Sequence, residues 1–104
     1  MISEELLSEI LDTEVKAVEL WNNNTIRYFA PKDYIINIYE LAHKCKEWGR
    51  DKYSIEISSA LQRNDSPTYW KGPAVATIGN KTWSANTEPE AISKACEWIL
   101  KETK

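Results

Sequence analysis

With 104 residues, 42% of them hydrophobic and 28% charged, the chain has the make-up of one folded domain and too little length for two independent cores. Its net charge of −3 and pI near 5.2 provide no attraction for a phosphate backbone, which argues against duplex DNA or RNA as the main partner. The acidic start, Ile2-Ser3-Glu4-Glu5, is unlike a basic targeting segment, and no apolar run approaches the ~20 residues that span a bilayer. The expected setting is therefore the cytoplasm, with no membrane partner.

Ser3 is a good N-cap for a first helix. Glu4 and Glu5 suit the positive first turn, Ile2 can staple onto Leu7, and Leu6, Leu7, Ile10 and Leu11 share one face. Residues 14–29 read as a hairpin turning at Asn22-Asn23-Asn24, because Asn tolerates the backbone that tight turns need. The alternation slips between Ala17 and Val18, which suits a bulge. A second helix is expected from about Asp33 to Trp48. Ile35, Ile38, Tyr39, Ala42 and Cys45 recur at spacings of three and four, with Pro31 ahead and Gly49 as the stop.

Residues 53–61 alternate with period two and read as a strand. A polar loop, 62–73, leads to strands at 74–78 and 81–85 joined by a Gly79-Asn80 turn. The last helix opens with a capping box, Thr87-Glu88-Pro89-Glu90, and carries a stripe of Ala91, Ile92, Ala95, Cys96 and Ile99. The resulting order is αββαβββα. It predicts a single α+β domain over 1–104, with helices packed on a short antiparallel sheet of about five strands in helix–sheet–helix layers.

Chemistry-bearing residues are sparse. His43 falls on the polar face of the second helix beside Lys44 and Glu47, and one imidazole without a nucleophile performs no recognisable reaction. Cys45 and Cys96 lie on apolar stripes and read as buried, reduced thiols; they lack metal-ligand spacing. Gly49, Gly72 and Gly79 each have a cap or turn role, and no phosphate-binding loop is present. Trp21, Trp48, Trp83 and Trp98 fit the core or its edge. Neither an enzyme, a metal nor a cofactor is expected.

One loop has the character of a binding site. Arg63, Thr68, Tyr69, Trp70 and Lys71 combine two adjacent aromatics with flanking cations, which suits stacking on a base and pairing with its phosphate. The same side chains suit an anchor pressed into a partner protein, and the plain alternative is that Tyr69 or Trp70 folds back over the sheet.

Two further segments are Tyr28-Phe29-Ala30-Pro31-Lys32-Asp33, entering the second helix, and the run from Thr82 to Ile92 containing Ala85-Asn86-Thr87-Glu88-Pro89-Glu90-Ala91-Ile92. Both resemble segments of the phage ABA sandwich domain family of small phage and prophage proteins. The chain departs from the family in having Tyr39 or Leu41 where a Trp is common in the central helix. The resemblance implies a helix–sheet–helix fold, no catalytic residues, and production inside an infected bacterium. In that setting the expected role is anti-defence binding. The expected partner is a small nucleotide-like immune signal, sequestered in a homo-oligomer; the alternative is a host protein that is blocked.

Overall fold

The computed structural model describes residues 2–22, 24–63 and 71–103. It is an α+β protein in which three helices pack against two three-stranded antiparallel sheets, in the order αβββαβββα. Among the described residues no helix is long and apolar enough to cross a membrane.

Helix α1 (Glu4–Leu11) starts where its cap dictates: Ser3 Oγ accepts the Leu6 amide at 3.1 Å, and Ile2, Leu6 and Leu7 are buried. Burying side chains of this kind contributes about 1.5–3 kcal/mol each. The helix ends at Asp12, whose backbone is left-handed at φ 54°.

Strands β1 (Ala17–Asn22), β2 (Thr25–Phe29) and β3 (Asp33–Asn37) form the N-terminal sheet in that spatial order. Its register aligns Leu20, Ile26 and Ile36 in one row and Val18, Tyr28 and Tyr34 in the next. These rows face the helices, and Ile26 and Ile36 are buried there. The row Glu19, Arg27 and Ile35 faces away, with Arg27 lying 3.5 Å from Glu19 and 3.2 Å from Asp33. The irregularity in β1 falls between Leu20 and Asn22, nearer the turn than the alternation suggested.

Strand β3 replaces the first turn expected of the second helix. Tyr34, Ile35 and Ile36 are aromatic or β-branched, and β2 supplies a partner for each of them. Helix α2 (Ile38–Tyr53) begins only after Asn37, whose Oδ1 accepts the Tyr39 amide at 2.8 Å. Ile35 and Tyr39, which matched the helical stripe in spacing, are 64% and 57% exposed. The buried stripe is Leu41, Ala42, Cys45 and Trp48.

Gly49 does not end this helix. It sits within α2, where an added Cβ would lie 3.4 Å from Ile55 O, Ile57 Cδ1 and Ile99 Cδ1, and the helix instead stops at Ser54 with φ 56°. Residues 54–57 consequently leave the expected strand, although Ile57 still points into the core.

Strands β4 (Ser58–Arg63), β5 (Lys71–Ile78) and β6 (Lys81–Ala85) form the C-terminal sheet. The turn at Gly79-Asn80 uses the left-handed backbone of Gly79, φ 59°, to set Ile78 opposite Lys81. Helix α3 (Glu88–Thr103) lies on this sheet, beside α2. Thr87 caps it: Thr87 Oγ1 accepts the Glu90 amide at 3.3 Å. Ala74 and Ala76 below, and Ala91, Ala95, Cys96 and Ile99 above, are fully buried.

The outer face of the C-terminal sheet carries the rows Ser58–Thr77–Thr82 and Ala60–Val75–Ser84. Trp83 and Trp98 close one edge of the core with rings 5.6 Å apart, while Trp48 is buried against Tyr53.

Cys45 and Cys96 are both free and fully buried where α2 meets α3, and the Cys96 thiol donates to the Cys45 carbonyl at 3.6 Å. The Cys96 side chain and then burial push the Cys45 thiol well above its ordinary 9.0. Because the unfolded chain ionises first, this contribution to stability is complete below about pH 9 and is lost as pH rises towards the displaced native value. Urea midpoints should therefore fall between about pH 8 and about pH 10, and less steeply in Cys45→Ala. The crowding at Gly49 makes a second prediction: Gly49→Leu should cost about 1–3 kcal/mol by overpacking, read as a lower urea midpoint, with the slope unchanged.

Candidate functional site

An apolar groove of about 270 Å³ opens where the first turns of α2 and α3 meet the helix-facing side of the N-terminal sheet. Each wall comes from a distant part of the chain. Leu20 and Ile26 belong to β1 and β2, Ile38 and Leu41 to α2, Pro89 to α3, and Ile2 to the segment before α1. Ile2, Ile26, Leu41 and Pro89 are buried and form the floor. Leu20 lies in the same row as Ile26 but at the sheet edge, so it is 61% exposed and forms a lip.

The rim is polar and comes almost wholly from α3. Thr87, Glu90, Ser93, Lys94 and Glu97 line it. Glu97 is fixed, accepting the Ser3 amide at 2.7 Å and the Ser3 hydroxyl at 2.8 Å, which pins the N-terminal segment along the groove. Lys94 donates to the Ser84 carbonyl at 2.8 Å. The carboxylate of Glu90 is exposed and has no hydrogen-bond or ion-pair partner among the described residues.

A second, more open cleft of about 390 Å³ lies between α1 and α2, lined by Ile10, Lys44, Glu47, Trp48, Asp51 and Lys52. It is larger but poorer as a site. One of its two lysines, Lys52, pairs with Glu9 at 2.6 Å, which keeps that ammonium protonated to higher pH, and little apolar surface is available to bury. Trp48 Nε1 lies buried beneath this region and has no hydrogen-bond partner among the described residues.

Of the residues singled out in the sequence, Arg63 and Lys71 are brought together as Cα partners at the last rung of the β4–β5 ladder. Thr68, Tyr69 and Trp70 lie outside the described residues. The rung belongs to the end of the sheet at which α3 begins, since Ala74, in the next pairing beyond a register shift, also pairs with Ala85, and Thr87 follows. The groove opens beside the same helix start. His43 is exposed, 3.6 Å from Glu47 one helical turn on, as its place on the polar face implies.

The groove itself had no signature in the sequence. Leu20, Leu41 and Pro89 each look like ordinary core positions, and Glu90 looks like one half of a capping box. The box geometry assigns Glu90, at N3, to the Thr87 amide, and only the structure shows that among the described residues its carboxylate makes no such bond, while Glu88 accepts from the Ser59 hydroxyl at 2.7 Å.

No protein-family model, no curated protein and no solved structure matches this chain.

Proposed function

We propose that this chain is a non-catalytic binding protein, a phage-encoded accessory factor that works in the host cytoplasm by occupying a component of bacterial defence. The observation that carries the binding reading is the groove: a concave apolar floor beside an exposed leucine lip, walled by two helices, a sheet and the segment ahead of α1. Exposed apolar concavities with a polar rim are what partner proteins use to seat an anchoring side chain. The phage setting rests on the resemblance of residues 28–33 and 82–92 to the ABA sandwich proteins. On this reading the function is to block a host protein.

The test is capture from bacterial lysate on immobilised wild-type chain and on Leu20→Asp. Leu20 is mostly exposed, so the variant should keep its stability within about 0.5 kcal/mol, as checked by thermal melting. A specific host protein held by the wild type should bind the variant at least about tenfold more weakly. Equal retention by both would remove the groove from this function.

The pairing of Arg63 with Lys71 supports a second reading, the sequestration of a small nucleotide-type immune signal. Two cationic residues on one rung suit a phosphate, and in the adjoining sequence Tyr69 and Trp70 supply rings for stacking and Thr68 a hydroxyl. A ligand of that kind would be enclosed between copies in a homo-oligomer. Calorimetry against cyclic nucleotides and ADP-ribose derivatives should then show binding that Arg63→Ala with Lys71→Ala weakens by more than about tenfold. Silence across that panel would eliminate the reading.

A further inference from the structure

The groove carries a charge imbalance that bears on what fills it. Glu90, Lys94 and Glu97 follow one another along α3 at spacings of four and three, all bordering the apolar floor. Two of the three are committed internally, Lys94 to the Ser84 carbonyl and Glu97 to Ser3. The remaining carboxylate, Glu90, stands exposed at the rim and makes no hydrogen bond or ion pair among the described residues. Lys94 keeps its charge, because the Ser84 carbonyl it touches is neutral, yet two carboxylates against one ammonium leave the rim with an excess of negative charge that favours a cationic neighbour over a phosphate or carboxylate.

We infer that the groove docks a segment of a protein partner in which a large apolar residue stands next to a lysine or arginine, the apolar side chain seating on Ile26 and Leu41 and the cation pairing with Glu90. This inference rests on the protein-binding reading above and adds the chemistry of the partner. The volume suits one large side chain. The lip residue Leu20 covers that side chain's outer surface, and the N-terminus of α3 fixes Glu90 at the entrance. The apolar contact supplies most of the affinity, because an exposed ion pair contributes little by itself. The ion pair sets which neighbouring residue is accepted and in which direction the segment lies.

The experiment uses the full chain, panned against a displayed library of short random peptides, with recovered clones measured on wild type, Leu20→Asp and Glu90→Gln. Expected are clones sharing Leu, Ile, Phe or Trp beside Lys or Arg. Their binding should drop at least about tenfold on Leu20→Asp and roughly two- to fivefold on Glu90→Gln. On Glu90→Gln the preference for the basic residue should vanish and the salt dependence should flatten.

Clones without a basic residue, or clones equally strong on Glu90→Gln, would overturn the partner chemistry and leave protein binding at the groove intact. Clones indifferent to Leu20→Asp would place peptide binding elsewhere and also overturn it. Failure to enrich any clone from folded protein counts against a linear segment, and a Leu20-dependent dimer in sedimentation would assign the groove to a second copy; each of these overturns the inference. Capture of a host protein that is insensitive to Leu20→Asp remains the separate failure of the groove-based function.

Discussion

Helix α3 lies close to the C-terminal sheet because the facing surfaces are built from alanine. Ala76 on the sheet packs in one core with Ala91 and Ala95 on the helix, all without exposed surface, and side chains this short let two backbones come together without voids. The rest of the molecule is arranged around that contact. Helix α2 meets the flank of α3 through Cys45 and Cys96, and Gly49 makes room for Ile99. Helix α1 touches both neighbouring helices, and Ser3 ties its start to Glu97. Were a branched side chain placed in the alanine row, α3 would rise, and the floor of the groove would rise with Pro89.

The same arrangement explains why a groove exists at all. The N-terminal sheet presents its Leu20–Ile26–Ile36 row to the helices, but only Ile26 and Ile36 are covered. Helix α2 begins late, at Ile38, because Tyr34 to Ile36 belong to β3. A helix starting at Asp33 would have had an extra turn with which to cover Leu20. The delayed start leaves an uncovered strip, and α3 contributes its capped, acidic first turn as the opposite bank.

What was legible in the sequence was local. The caps at Ser3 and Thr87 and the Gly79-Asn80 turn depend on a few adjacent residues, and all three are present, although among the described residues the box at Thr87 closes only one way, by its hydroxyl on the Glu90 amide. The α+β class was also legible, since three apolar stripes and several alternating runs exclude simpler architectures. The misreadings came from non-local effects. Ile35, Ile38, Tyr39 and Ala42 satisfy a helical period, yet a pairing partner on β2 decides that the first of them is in a strand. Gly49 looks like a stop signal, but its lack of a side chain serves a contact with residues from 55 to 99. The site was hardest of all, because its walls come from four separate stretches of chain. Arg63 and Lys71 were readable as a pair because both flank a single loop.

The tether between Ser3 and Glu97 also has a practical side. Ile2 is part of the groove wall, and the Ser3 amide is held by a carboxylate on the rim, so extra residues fused ahead of this point would emerge beside the opening. Thr103, by contrast, closes α3 some 16 residues from the helix start, with its hydroxyl folded back onto the Ile99 carbonyl. Immobilisation tags and fluorophores therefore belong on that far terminus, where a bulky label leaves the opening clear for incoming molecules.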